Sequence, residues 1–342
     1  MKPLVSILIP AYNAENWISY TLRSAVAQTW PRKEIIVIND GSTDKTADLV
    51  RSFASQGVTL ISTENRGMSA AQNLAYQSSH GDYIQWLDAD DLLAPDKIER
   101  QLNAVSGAEN GRLLISSPWA PFYYRTRGAK FIHNSLWEDL SPVEWLFRKL
   151  SQNLHMQNAT WLVSREITDV AGPWDTSLHY DQDGEYFARV LLACERTRFV
   201  SGTGIFYRMS PSNRISYIGN SAKKKESLAR SMKLHIRYIR SLEDSERIRT
   251  ACVTYLQNWY CHFYPERSDL VADLQELADE LGGRLEAPRL RWKYAWMRPV
   301  FGWKMAKSVQ NGVPQVKACM LRQWDKLRSE QEESRTDARS LW

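Results

Sequence analysis

Val5-Ser6-Ile7-Leu8-Ile9, Glu34-Ile35-Ile36-Val37-Ile38, Val58-Thr59-Leu60-Ile61 and Tyr83-Ile84-Gln85-Trp86-Leu87 are apolar runs of strand length, each followed by polar or turn-forming residues. Runs this short and this apolar predict strands buried on both faces. Between them the period changes. Ile18, Leu22, Ala25 and Val26 recur at helical spacing between Glu15 and Ala27, and Pro31 closes that segment. Thr43-Asp44 is placed to cap a second helix carrying Leu49, Val50 and Phe53, and Ser69 to Gln77 reads as a third. Strand alternating with helix predicts an α/β fold, a mostly parallel sheet flanked by helices. Ligands of such sheets collect in the crevice beyond the carboxyl ends of the strands. The polar clusters Ala11-Tyr12-Asn13, Asn39-Asp40-Gly41-Ser42, Glu64-Asn65-Arg66-Gly67 and Asp88-Ala89-Asp90-Asp91 all fall there. Four clusters on one sheet edge predict a site.

Beyond residue 113 the runs shorten and aromatics multiply, as in Trp119 to Tyr124; segments 158–163 and 198–207 also read as strands, so a mixed sheet is expected. After about residue 220, Leu228, Met232, His235, Ile236 and Ile239 keep helical spacing until Gly282-Gly283 breaks the pattern. A basic, Trp-rich tail follows, and the closing EESRTDARSLW reads as frayed.

With 342 residues, 43% hydrophobic and 24% charged, the chain reads as folded rather than disordered, with room for one large domain or two smaller ones. Four cysteines without CxxC or metal-ligand spacing read as reduced thiols. The N-terminal apolar run stops at Pro10, too short for a signal peptide, and no stretch reaches the ~18 uncharged apolar residues of a membrane span. Charge is uneven. Residues 289–328 hold ten Lys or Arg against one Asp, a local +9 within a net +5, so the remainder carries −4.

Three carboxylates within four positions at Asp88-Ala89-Asp90-Asp91 repel one another unless a cation offsets them. Asp88 and Asp90, one residue apart at a strand end, can project toward a common divalent cation; oxygen-only ligands suit Mg²⁺ or Mn²⁺, which share their shell with phosphate oxygens. Asp90-Asp91 also reads as the cap of a helix reaching Glu99 and Leu102. Asp40-Gly41-Ser42 fits either a base- or ribose-binding carboxylate beside a tight turn, or turn chemistry alone.

SILIPAYNAENWISYTLRSAVAQTW, EIIVINDGSTDKT, ENRGMSAAQNLA and GDYIQWLDADDLL, in that order over residues 4 to 93, resemble family 2 glycosyltransferases, nucleotide-sugar-dependent enzymes of the Rossmann-like GT-A fold. The resemblance implies that Pro10, Tyr12 and Glu15 line the nucleotide pocket, that Asp40 recognises the base, and that Asn65 and Gly67 belong to the loop before the third helix. It makes Asp88 the ribose-side carboxylate and Asp90 the metal ligand. Gln72 stands where family members often carry arginine, which removes a cation from the diphosphate; Arg66 reads as a solvated loop residue rather than its substitute.

The resemblance resumes at GPWDTSLHYDQDGEYFARVLLA, residues 172–193, where the family carries an acidic pair. Here the pair is Gln182-Asp183, which makes Asp183 the expected general base, with Asp181 and Glu185 as close rivals. The stretch alone reads as an acidic helix start. Arg208 and Arg214, near the loop SPSNRISYIG, fit phosphate binding or a surface loop equally. His155 and His179 lack partners at ligand spacing and read as structural or surface residues.

In the tail, Trp292, Trp296, Phe301, Trp303 and Trp324 interleave with Arg291, Lys293, Arg298, Lys304 and Lys307. That pattern fits tryptophans packed back on the domain with lysines in water. It also fits a helix on an anionic membrane, or single-stranded nucleic acid, although nothing resembles a nucleic-acid module and no such partner is expected. The expectation is a GT-A domain over residues 1–215 and a helical region with a basic tail over 216–342. The protein is expected to be cytoplasmic, its residues 289–328 either packing on the domain or making peripheral contact at the inner face of a membrane. The expected reaction is metal-dependent, inverting transfer of one sugar from a nucleotide-diphosphate sugar, a UDP-sugar favoured, to a hydroxyl of a glycan or lipid-linked acceptor in polysaccharide, glycolipid or cell-envelope glycan synthesis. A nucleotidyltransferase would carry a Gly-rich basic loop after the first strand, and PAYNAE is not one. The alternative is an inactive carbohydrate-binding or scaffold protein of the same fold, favoured only by Gln72 and Gln182.

Overall fold

The computed structural model describes residues 2–106, 112–209, 218–219, 221–288 and 292–333. Arg214, Arg289 and Arg291, with most of SPSNRISYIG and of the terminal EESRTDARSLW, lie outside them. The first strands form as their runs predict: β1 (Val5–Ala11), β2 (Lys33–Asp40), β3 (Val58–Thr63) and β4 (Tyr83–Trp86). They pair in parallel in the order β3-β2-β1-β4, with Ile7 opposite both Ile35 and Gln85. The order reverses between β1 and β4, and the crevice at such a switch point is where an open α/β sheet holds its ligand.

Period-two alternation decides which core each strand residue enters. Val5, Ile7, Ile9, Ile35 and Val37 pack on the face covered by α1 (Ile18–Val26), α2 (Thr46–Arg51) and the later helix α4 (Lys97–Asn103). Leu8, Ile36, Ile38, Ile84 and Trp86 enter the opposite core. That second core holds α3 (Met68–Gln77), α5 (Pro142–Gln152), α6 (Arg165–Ala171) and α7 (Gln182–Ala193). It continues without a break into α8 (Ala222–Leu242), α9 (Glu246–Tyr260) and α10 (Ser268–Glu280), through Leu228, Met232, Ile236, Cys252, Leu256 and Leu274. The last elements are α11 (Trp292–Ala295) and α12 (Met297–Glu333), the latter kinked at Gly302, where φ is 75°. No helix among the described residues is long and apolar enough to cross a membrane.

The middle of the chain departs from its pattern. Residues 158–163 contain a one-turn 3₁₀ helix, Asn158–Thr160, and reach strand geometry only at β8 (Val163–Ser164), the antiparallel edge beside β4. Segment 198–207 splits between β9 (Arg196–Phe199), which pairs with β6 (Leu113–Ser116), and β10 (Ile205–Arg208), which pairs with β7 (Trp119–Phe122). Nor does Asp91 cap a helix: the chain enters β5 (Leu92–Leu93), which pairs with β10, and α4 starts only after Asp96. The apolar pair Leu92-Leu93 has a sheet partner more than a hundred residues away, which local periodicity cannot register.

Candidate active site

An aromatic cluster sets the two acidic segments opposite each other. Trp86, at the end of β4, meets Trp174 and Tyr186 edge-on at 5.2 and 5.9 Å, and Trp174 stacks on Tyr186 at 3.9 Å. Tyr186 lies in α7, so this packing fixes the N-terminus of α7 against the carboxyl end of β4. Asp88 follows β4 and Asp183 sits in the first turn of α7. Their charges interact: burial first, then repulsion from Asp90 and Asp183, pushes the Asp88 carboxyl up to about 7.

The turn Asp88–Asp91 is held from behind. Asp91 is fully buried; its Oδ1 accepts the Arg208 backbone N–H at 2.8 Å and its Oδ2 the Gln157 Nε2 at 2.6 Å. Burial, Asp90 and Asp88 push its carboxyl well above the usual range. Asn158 Nδ2 donates to Asp88 Oδ1 at 3.0 Å. Thr21 Oγ1, on α1, donates to the Ala89 carbonyl at 2.9 Å. Beneath them Lys97, wholly buried, donates to Gln85 Oε1 (2.5 Å) and Gln101 Oε1 (2.7 Å), and those amides donate to the Ala159 and Thr160 carbonyls. This network sets the 3₁₀ turn that presents Gln157 and Asn158.

Arg208 is no surface-loop residue. It is 3% exposed, its Nε donates to the Asp90 carbonyl at 2.7 Å, and its Nη1 donates to the Tyr123 carbonyl at 2.9 Å. Its guanidinium lies between Trp17 (4.3 Å) and Phe122 (4.4 Å). Burial lowers its pKa to about 10 against the pull of Asp90 and Asp91. A cation under the acidic turn offsets part of the charge that the sequence concentrates there.

The three acids at the start of α7 have different surroundings. Glu185 receives both Arg189 Nε and Nη2 at 2.8 Å and the Tyr238 hydroxyl at 2.7 Å. Asp181, at φ 60°, accepts from Ser231 Oγ and has His235 Nδ1 at 3.9 Å. Burial raises its pKa, against the pull of Lys149 and the Ser231 bond. Asp183, half-buried, makes no hydrogen bond among the described residues. It alone keeps its oxygens available.

On the other side of the crevice, the loops after β1 and β2 are stitched together. Asn13 Oδ1 accepts the Thr43 N–H (2.9 Å) and Glu15 Oε2 the Lys45 N–H (3.1 Å); Tyr12 is exposed beside them and Pro10 half-buried. Asp40 is 3% exposed, and its two oxygens accept the backbone N–H groups of Arg66 (2.8 Å) and Gly67 (2.9 Å). Asp40, Asn65 and Gly67 are thus brought together, with Asp40 acting first as the anchor of the 65–67 loop. Gly41, at φ 71°, lies so near that loop that a Cβ would stand 2.6 Å from the Asn65 nitrogen. Arg66 is exposed, whereas Gln72 is buried with neither amide atom hydrogen-bonded. His155 is exposed, its ring edge-on to Trp119, and His179 is exposed as well.

Gln157 and Asn158 escaped the sequence reading. The available signal was a Gln-Asn pair leading into a buried run, since buried amides need partners. No three His, Cys, Asp or Glu side chains among the described residues form a ready cation cage. Two carboxylates such as Asp88 and Asp90 suit a cation that takes its other oxygens from phosphate and water.

Residues 6–170 match the sequence model of glycosyl transferase family 2. An uncharacterized glycosyltransferase of Rickettsia typhi is 34% identical over 197 residues, 56% of this chain and 59% of its own; the chain thus spans less than two thirds of that relative. In fold, the chain resembles S. aureus TarS 1-349 in complex with UDP-GlcNAc, at TM-score 0.66 and 15% identity over 90% of this chain and 92% of that one. It also resembles the mannosyltransferase PcManGT of Pyrobaculum calidifontis in complex with GDP-Man and Mn²⁺, at TM-score 0.53 and 19% identity over 95% and 88%. The sheet order, the acidic turn at its switch point and these likenesses agree on the GT-A fold, and over residues 6–170 the chain carries the sequence pattern of glycosyl transferase family 2.

Proposed function

We propose that the protein is a metal-dependent, inverting glycosyltransferase that moves one sugar from a nucleotide-diphosphate sugar, with UDP as the favoured nucleotide, to a hydroxyl acceptor. The observation that carries this reading is the Asp183 carboxylate, unengaged by hydrogen bonds among the described residues and sharing an electrostatic field with Asp88 across the switch-point crevice. Residues 1–215 would supply the chemistry and 216–342 the helical wall behind α7.

In this reading Pro10, Tyr12, Glu15, Asp40, Asn65 and Gly67 surround the nucleoside, Asp88 faces the ribose, and Asp90 holds Mg²⁺ or Mn²⁺. When bound, the cation neutralises the diphosphate and stabilises its departure. Asp183 takes the proton of the acceptor hydroxyl as that oxygen attacks the anomeric carbon from the face opposite the diphosphate. The bond from the anomeric carbon to the diphosphate oxygen breaks with its electrons on the leaving group, and Asp183 later returns the proton to solvent. The donor-bound S. aureus TarS and the Mn²⁺-bound PcManGT support a nucleotide-sugar and a divalent cation as partners. The acceptor would be a glycan or lipid-linked hydroxyl in polysaccharide, glycolipid or cell-envelope glycan synthesis, reached by a cytoplasmic protein peripheral at the membrane through residues 289–328.

Calorimetric titration with UDP, GDP, ADP and CMP, with and without Mn²⁺, tests the donor class. One nucleotide should bind only with metal, and Asp90→Ala should abolish that binding. The anomeric configuration of the product, read by NMR, tests inversion: retention of the donor's configuration would remove Asp183 from its role as base.

A further inference from the structure

Of the forty residues 289–328, ten are Lys or Arg and one, Asp325, is acidic. That single acid faces the protein. Its Oδ2 accepts the backbone N–H groups of Tyr124 (2.9 Å) and Arg125 (3.2 Å), and its Oδ1 accepts Arg125 Nε (2.8 Å). The pair is largely sealed, at 14% and 18% exposure. From there contacts lead to the acidic turn. Tyr124 packs on Trp17 at 5.5 Å, and the Tyr123 carbonyl receives Arg208, whose Nε holds the Asp90 carbonyl.

The opposite side of α12 is apolar and open. At about 100° per residue, Met320, Trp324 and Leu327 fall within roughly 60° of one another on the side away from Asp325. Their exposures are 68%, 53% and 59%. Arg328 borders this stripe, its guanidinium 4.5 Å from the Trp324 ring, whereas Arg322 and Lys326 fall on the far side of the helix. Trp296 and Val300, nearer the start of the tail, are also exposed, at 62% and 66%. A second copy would bring another +9 segment against this one, whereas an apolar stripe on so basic a segment complements an anionic lipid surface.

We propose that α12 performs two tasks on two faces. Its outer face seats on a bilayer containing anionic lipid. Its inner face, through Asp325, fixes the Tyr123–Arg125 segment and hence Arg208 and the backbone of Asp90. Asp325 is therefore a positioning residue for the donor site, a role that rests on the reading of Asp88–Asp90 as that site. Met320 and Leu327 lie about 140° and 160° round the helix from Asp325, so lipid seated on them leaves the latch closed; Trp324 stands between, its ring 5.7 Å from the Arg125 guanidinium.

The full chain is assayed for co-sedimentation with vesicles of phosphatidylcholine alone or mixed with phosphatidylglycerol, and separately for donor KM. Wild type should sediment only with the anionic vesicles. Met320→Ser with Leu327→Ser should partition about tenfold more weakly at unchanged donor KM. Asp325→Asn should bind vesicles as wild type does but raise donor KM about tenfold, with Asp325→Glu restoring part of it. Equal partition of the stripe variant, or preference for a single-stranded oligonucleotide over vesicles, overturns the outer face. A wild-type KM in Asp325→Asn overturns the latch. If wild type binds no nucleotide at all, the latch falls with the donor-site reading, while the vesicle arm still decides the lipid face.

Discussion

Asp88 and Asp183 come from separate halves of the crevice, yet each lies in the other's field, and Asp183 helps push the Asp88 carboxyl up to about 7. Two carboxylates in that relation invite a cation between ligand and protein, and they separate in role by their partners. Asp88 is held by Asn158, whereas Asp183 makes no hydrogen bond among the described residues.

Asp183→Asn should leave donor affinity within about twofold and lower kcat by ~10²–10⁴, the usual contribution of a general base. Asp181→Asn and Glu185→Gln should act mainly on stability, because those acids are already bonded to Ser231 and to Arg189. Single-turnover rates beside donor titrations separate the cases; a full-rate Asp183→Asn enzyme would point to Asp181.

Stability should respond to pH through Asp88. Its folded pKa is raised, so the metal-free native state holds a proton that the unfolded chain releases. The associated stability is complete below about 4 and is lost as pH rises to about 7, by about 1.4 kcal/mol per unit at most. His235 runs the other way: burial lowers it to about 3, so its contribution is complete above about 6.5 and lost on acidification. Asp88→Asn should therefore gain on wild type, in urea unfolding with chelator, as pH climbs from 5 to 7. Parallel curves for the two proteins would show that Asp88 titrates normally.

Gln157→Leu would leave the Asp91 carboxyl buried without one of its donors. A loss of about 1–3 kcal/mol is expected, together with weaker Mn²⁺ binding as the acidic turn loosens. Calorimetry of Mn²⁺ with UDP and a denaturant melt give both numbers; unchanged metal affinity would make Gln157 a structural residue only.

Gly41→Ala places a methyl 2.6 Å from the Asn65 nitrogen at a φ of 71°. The 65–67 loop must then shift off Asp40, with a stability loss of about 1–3 kcal/mol and weaker nucleotide binding. Normal affinity in a destabilised variant would remove the 65–67 loop from the donor pocket.

The sheet, its flanking helices and the four clusters at its edge were legible because period-two and helical signals are local and strong there. The backing of the acidic turn was not. Gln157, Asn158 and Arg208 meet Asp88–Asp91 only after the chain has folded back from about seventy to more than a hundred residues away. Leu92-Leu93 likewise takes its conformation from β10, so the helix cap read at Asp91 gave way to a strand. Among three neighbouring acids at 181–185, sequence spacing could not choose; Arg189, Tyr238 and Ser231 distinguish them in space.

The core shared by α7 and α8–α10 has a consequence for genetics. A stop codon between residues 216 and 274 would strip the core that holds Phe187 and Leu191 of Met232, Ile236, Leu256 or Leu274, depending on its place. Such an allele would be cleared by proteases as unfolded chain rather than persist as a slow enzyme. Complementation with truncated alleles would report on folding, and only point substitutions in the crevice would report on chemistry.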